Sequence, residues 1–386
     1  MTKVFTGDNP TQMYMDALKA ILEEGDLVSP RGKDIKELRP VVFEFTNPHN
    51  RVTFLKGRII NPFFQLAEAL WIIQGRSDVE WLTKYNKQIG QFSDDGKTFN
   101  AAYGERLRHW NYHAMTNFVF NPMDQLVDVY RKLIADGHTR QAVALIYNPL
   151  FDNASRVTKD TPCNIVLTFK IRKGKLNLTV FNRSNDLHWG LFGANLCQFS
   201  TIQEMVACWL DVPVGTYTHM TDSLHIYLEA YGADESGKIL GAYLKGGTNN
   251  VGIPEMSDFV KEPRMSSDFV QMEQVLLRYN HHLDPIMQDD ESIKDISVWG
   301  RLLKSIDTYP DTYFKLTFNA MAAYRAYKLN EIDKCIEALS VIPMCQWKVS
   351  CLRFLSKSLN YRSEFVDLYR NLPQATVDYI NREDIK

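Results

Sequence analysis

Charge of either sign is scarce as a surplus. The chain has 44 Lys and Arg against 46 Asp and Glu, a net charge of −2 with His neutral, and no long basic run. That argues against a duplex-DNA binder held mainly by phosphate contacts. It leaves room for a small phosphorylated substrate, which needs only a few arginines. Cysteine is limited to six residues, at 163, 197, 208, 335, 345 and 351, with no CxxC pair and no metal-like spacing. This predicts a reduced cytosolic protein, in the host cytoplasm if the source is viral, without structural disulfides or a bound metal. The N-terminus lacks the apolar core of a signal peptide, and nothing reaches transmembrane length, so no membrane contact is expected. No repeat or low-complexity tract stands out. What remains is a chain of 386 residues, 45% hydrophobic and 12% aromatic, enough to bury a sizeable core in one large domain or two ordinary ones.

Apolar periodicity places the elements. Residues 9–24 read as an amphipathic helix ending at Gly25, and Val41 to Phe45 and Val52 to Leu55 as strand-like runs. Asn61-Pro62 opens a strong helix with proline in its first turn and Gly75 after its end. Its buried stripe is Phe63, Phe64, Leu66, Ala67, Leu70 and Trp71, and Glu68 lies among them, an unusual place for a carboxylate. Residues 123–136 read as a helix, 141–147 as a strand, 196–210 as a helix, and Leu224 to Tyr231 as the start of another. Gly and Asn cluster at 245–252. The composition shifts near 255, and helical segments follow near 266–280, 291–305, 311–327 and 330–341. This divides the chain into residues 1–255 and a mostly helical extension, 256–386.

The most informative stretch is Asp160-Thr161-Pro162-Cys163-Asn164, followed by Phe181-Asn182-Arg183-Ser184-Asn185-Asp186. Between them, Ile165, Leu167, Phe169 and Ile171 alternate with Thr168, Lys170 and Arg172. Lys173-Gly174 is a turn signal, and Leu176, Leu178 and Val180 resume the alternation. An antiparallel hairpin joins its two far ends, so Cys163 and Arg183 are expected to be neighbours. A thiolate is a strong nucleophile close to neutral pH, and an adjacent cation favours it.

These segments together resemble thymidylate synthase and its relatives, the pyrimidine nucleotide hydroxymethylases, over roughly residues 10–232. The matching pieces occur in order: Arg31 in Ser29-Pro30-Arg31-Gly32, Glu68, Tyr103-Gly104, Thr139-Arg140-Gln141, Pro162-Cys163, Arg183-Ser184 with Asp186, Asn195, and His225-x-Tyr227. The resemblance implies an α+β fold with a large, mostly antiparallel sheet and packed helices. It implies a pyrimidine nucleoside monophosphate as substrate, with 5,10-methylenetetrahydrofolate as cofactor. Cys163 would add to C6 of the base, Glu68 would relay protons, and Tyr103 would wall the site. Asn195 would read the base edge, Asp186 would face the folate with Glu68, and His225 and Tyr227 would hold the sugar hydroxyl. Arg31, Arg183 and Ser184 would hold the phosphate, with Arg140 reaching across a homodimer to the partner's site. Bidentate donors suit a dianionic phosphate, and a carboxyl in an apolar helix is expected to have a raised pKa.

Departures from the synthase pattern point to the branch resembling bacteriophage deoxyuridylate hydroxymethylases. Counted from Gln74-Gly75, two wall tryptophans of the synthases fall at Gly90 and near Ser93, and their loss would admit water in place of hydride. Asn164 stands where histidine is usual, and Gln141 replaces a second arginine. The loop Gly190 to Asn195 has one extra residue. The terminus Arg382-Glu383-Asp384-Ile385-Lys386 lacks the short apolar tail of synthases. Asparagine at 195 favours uracil over cytosine, because it can donate to O4 and accept from N3–H. The extra loop residue leaves Ala194 as another candidate against the base. A methylating synthase and a hydroxymethylase of dCMP or CMP remain the alternatives.

Overall fold

The strands form two sheets that meet at the far end of the predicted hairpin, in a computed structural model that describes residues 2–110, 122–153, 158–229, 236–241, 262–288 and 290–382. The Gly/Asn cluster at 245–252, the shift near 255 and residues 383–386 lie outside the described residues. The strands are β1 (Lys3–Gly7), β2 (Asp26–Val28), β3 (Ile35–Leu38), β4 (Val41–Phe45), β5 (Val143–Leu145), β6 (Asn164–Arg172), β7 (Lys175–Asn182), β8 (Asn185–Asp186), β9 (Val214–Thr221) and β10 (Leu224–Tyr227). The large sheet runs β1-β4-β9-β7-β6-β5 and the small one β2-β3-β10-β8. Antiparallel pairs predominate, with β1–β4, β7–β9 and β8–β10 parallel. The fold is therefore α+β with mostly antiparallel, mixed sheets.

The hairpin forms as its alternation predicts. Asn164 pairs with Asn182 and Arg172 with Lys175. The turn takes positive φ at Lys173 (52°) and Gly174 (69°), the combination that matches the right-handed twist of the strands. On one face Leu167, Phe169, Leu178 and Val180 are fully buried, each burial contributing about 1.5–3 kcal/mol. The helix Leu196–Trp209 packs on β7 and β9 there, and the helix Pro62–Ile73 packs on that helix. The opposite face carries Val42, Val166, Phe181 and Met220, all half-buried.

Local chemistry fixes the Glu68 helix. Asn61 caps it, its side chain accepting from Phe64 N at 3.1 Å, and Pro62 occupies the first turn. Gly75 follows with φ 72°. At Gly104 a Cβ would stand 2.6 Å from the Ile72 carbonyl oxygen. Only glycine lets the helix Tyr103–Arg108 approach that closely.

Two sequence expectations fail. Val52 to Leu55 is not a strand. The segment is buried without regular structure, and Phe54 N donates to Thr11 Oγ1 at 2.9 Å. Burial from both sides, not a sheet ladder, explains its apolar character. Of the helix expected from Leu224 to Tyr231, the described residues, up to 229, form none. Leu224–Tyr227 is β10, paired antiparallel to β3 and parallel to β8. The two ladders override helix propensity, and His225 and Tyr227, two residues apart, then share one face.

Helices after residue 262 brace the elements that carry the cavity. Phe63 stacks on Tyr324 at 4.9 Å, and Tyr324 also stacks on Tyr85 at 5.5 Å. Arg353 donates to the Leu55 carbonyl at 3.1 Å. Glu204 accepts from Met265 N at 2.9 Å and pairs with buried Arg51. Among the described residues, all six cysteines are free, and no helix is long and apolar enough to cross a membrane.

Candidate active site

A cavity of about 320 Å³ opens where β6, β8, β10 and the Glu68 helix converge. Cys163, Glu68, Tyr103, Ser184, Asp186, Asn195, His225 and Tyr227 all line it. Arg31 and Arg183 are not among the lining residues, but both act on the Cys163 thiol by charge. Arg140 lies on an exposed bend before β5 and is not among the lining residues of its own chain.

The nucleophile is held by the hairpin's open end. Arg183 N donates to the Cys163 carbonyl at 2.9 Å. The Arg183 guanidinium bonds the carbonyls of Pro162 (2.9 Å) and Thr161 (3.0 Å), so the arginine clamps the loop that presents the thiol. Burial nevertheless pushes the thiol above its ordinary 9.0, with Arg183 and Arg31 pulling it down and Asp160 pushing it up. The expectation that Arg183 would favour the thiolate holds for its own contribution, but desolvation outweighs it.

Glu68 behaves as its apolar helix predicts. Burial raises its carboxyl from 4.5 to about 7, and the side chain of Gln198 reaching it offsets this in part. Its Oε2 is buried with no hydrogen-bond partner. Asn164 is fully buried at the cavity wall, and neither its Oδ1 nor its Nδ2 has a partner. Unpaired buried polar atoms cost folding energy, so such a set marks a place where bound molecules or water complete the bonding. Asp186 is similar: Oδ1 accepts from Trp189 N at 2.5 Å, Oδ2 is orphaned, and burial raises its pKa.

Asp186 caps a π-helical stretch, Leu187–Asn195. At the end of this stretch Ala194 and Asn195 both face the cavity. His225 and Tyr227 meet edge-to-face at 5.1 Å. Burial lowers the His225 pKa, while the Asp186 carboxylate opposes this. Tyr103 stacks on Phe199 at 6.3 Å.

The wall differs from the sequence count. Ile89 and Phe92, not Gly90 and Ser93, line the cavity. A Cβ at Gly90 would point to Thr83 and Val79, and Ser93 is buried under its turn, donating to the Thr98 carbonyl at 2.7 Å. Both lining side chains belong to the 3-10 turn Lys87–Phe92. The wall is thus an aliphatic side chain and a half-exposed phenyl ring. Sequence reasoning also missed Asn185, Asp160, Gln198 and Trp189 as lining residues. Gln198 was within reach of it, three residues after Asn195 on a helix and so on the same face.

Sheet order, hairpin nucleophile and a cavity joining thiol, carboxyl and carboxamide define a class of nucleotide-modifying one-carbon transferases. A thymidylate synthase family model matches residues 12–299, and the chain belongs to that family. A deoxyuridylate hydroxymethyltransferase of Bacillus phage SP01 is 52% identical, over 98% of this chain and 99% of the relative. One from Pseudomonas phage M6 is 31% identical, covering 92% and 94%. One from Delftia phage PhiW-14 is 27% identical, covering 78% and 81%.

Proposed function

We propose that this phage-type enzyme is a deoxyuridylate hydroxymethyltransferase, converting dUMP to 5-hydroxymethyl-dUMP. The observation that carries it is the meeting of Cys163, Glu68 and Asn195 in one cavity, in a chain 52% identical end to end to an enzyme of that name. Cys163 Sγ adds to C6 of the pyrimidine, and the C5=C6 electron pair moves toward C5 and O4, making C5 nucleophilic. The cofactor is 5,10-methylenetetrahydrofolate, which supplies a one-carbon unit electrophilic toward C5. The orphaned, buried Asp186 Oδ2 beside Phe92 and Trp189 fits the N–H edge and flat face of a pterin, so Asp186 and Glu68 would hold it.

Glu68, titrating near 7, can both take and give a proton through water at neutral pH. Asn164, with both polar atoms unpaired, would hold the water that adds to the one-carbon unit at C5 and supplies the hydroxyl, the C5 proton being lost through Glu68 and the carrier leaving as tetrahydrofolate. Expulsion of the Cys163 thiolate restores the C5=C6 bond. Asn195 orients the uracil edge, His225 and Tyr227 hold the 3′-hydroxyl, and Tyr103 packs the wall. Arg31, Arg183 and Ser184 bind phosphate.

Arg140 completes the partner's phosphate site in a homodimer formed through the half-buried face of the large sheet. Its exposure and its absence from the lining of its own chain's cavity support that reading. Residues 1–255 form the catalytic domain, and 256–386 an extension whose helices stiffen the Glu68 and Asn195 elements. The test is mass spectrometry of the nucleotide formed from dUMP and the folate. A gain of CH2O is expected, and a gain of CH2 would make the enzyme a methylating synthase.

A further inference from the structure

Asparagine is by itself an ambiguous reader of a pyrimidine edge. Turned over by half a rotation, its carboxamide exchanges donor and acceptor, so the face that fits uracil becomes one that fits cytosine. What holds Asn195 is a buried chain of side chains from three elements. Tyr217 Oη meets His219 Nδ1 at 2.6 Å, and His219 Nε2 meets Asn185 Oδ1 at 2.7 Å. Asn185 Nδ2 donates to Asn195 Oδ1 at 2.8 Å, and Asn195 Nδ2 donates to Gln198 Oε1 at 2.9 Å. Every donor points the same way. Asn185 Oδ1 can only accept, so the imidazole carries its proton on Nε2 and its Nδ1 accepts from the Tyr217 hydroxyl. Burial keeps that ring neutral, its pKa lowered to about 3.

We infer that His219 and Asn185 are positioning residues that make Asn195 selective for a uracil edge over a cytosine edge. The reading rests on the proposed role of Asn195 at the base. In the pinned orientation one Nδ2 hydrogen and one Oδ1 lone pair of Asn195 stay free for the substrate, matching O4 and N3–H. A turned-over Asn195 would set amide against amide at Asn185 and oxygen against oxygen at Gln198. Two buried bonds would be lost, each worth about tenfold or more, so the pin supplies selectivity of roughly 100-fold. Tyr217 and His219 are not among the residues that line the cavity, so they stand apart from the thiol chemistry.

The experiment compares kcat/KM for tritium release from C5-tritiated dUMP and dCMP, with 5,10-methylenetetrahydrofolate, in the full chain. His219→Leu removes the donor to Asn185 and frees that end of the pin, while the bond to Gln198 remains, so it is expected to lower the dUMP-to-dCMP ratio by about tenfold. His219→Gln, which keeps an N–H donor, is expected to restore the ratio. Asn185→Asp offers only acceptors, so Asn195 turns its amide nitrogen toward it and the preference shifts to dCMP. This variant decides the matter should His219→Leu not fold. Equal losses on both nucleotides, with the ratio unchanged, would overturn the inference. No release from dUMP by the wild-type chain would instead defeat the proposed function.

Discussion

Replacing Glu68 by Gln is expected to make the protein more resistant to rising pH while removing most of its activity. The two effects have one origin. The carboxyl moves from 4.5 in an exposed chain to about 7 in the fold. Below both values the folded and unfolded states are protonated and the group contributes no difference. As pH rises past 4.5 the unfolded chain releases its proton first, and the folded protein loses stability until pH passes the folded value. The full loss corresponds to about 3 kcal/mol. Glutamine has no such titration, so the difference in unfolding free energy between Glu68→Gln and wild type should grow by that amount between about pH 4.5 and pH 8. A constant cost of the buried amide cancels in this comparison. Urea unfolding at several pH values reads it directly. At neutral pH the variant's kcat should fall roughly a hundred- to ten-thousandfold, since the proton relay is gone. Parallel stability–pH curves for the two proteins would refute the buried, titrating carboxyl. Unchanged kcat would refute its role in proton transfer.

Cys163 should react with iodoacetamide along a pH profile whose midpoint lies above 9.0, because burial dominates, and Arg183→Gln should move it higher. Peptide mapping by mass spectrometry measures this, and a midpoint below 9.0 would mean that the arginines outweigh burial at the thiol. Arg140→Ala and Cys163→Ala proteins should each be severely impaired, yet regain turnover when mixed and allowed to exchange subunits. No recovery on mixing would place Arg140 outside the partner's site. Introducing indole at the wall, by Ile89→Trp or Phe92→Trp, should divert part of the product from hydroxymethyl to methyl. The nucleotide mass distribution decides it, and an unchanged distribution means that the wall does not govern water access.

Features governed by neighbours in sequence were legible from the residues alone. The hairpin from Asn164 to Asn182 follows from alternation and one Lys-Gly turn, and the Glu68 helix follows from Asn61-Pro62, an apolar stripe and Gly75. The proximity of Cys163 and Arg183 needs only antiparallel pairing. The misreadings all involve partners distant in the chain or a local change of winding. Leu224–Tyr227 carries too few residues to declare its period, and it becomes a strand because β3 and β8 offer ladders on both sides. The wall residues Ile89 and Phe92 sit on a 3-10 turn, and a count of positions along the chain does not say which side chains of such a turn face inward.

The largest omission is the chain that holds Asn195. His219 lies on β9, Asn185 on β8 and Gln198 on the helix Leu196–Trp209. No spacing along the sequence joins them. The large sheet brings His219 beneath Asn185, and the π-helical turn carries Asn195 onto both Asn185 and Gln198. The motif position of Asn195 suggests a base reader, the role proposed for it here. Its orientation is a property of hydrogen bonds directed through the core, and orientation decides which base an asparagine accepts. On the role proposed for Asn195, base choice belongs to a network that runs from the cavity into the core, and His219→Leu tests whether a substitution beneath the site changes specificity.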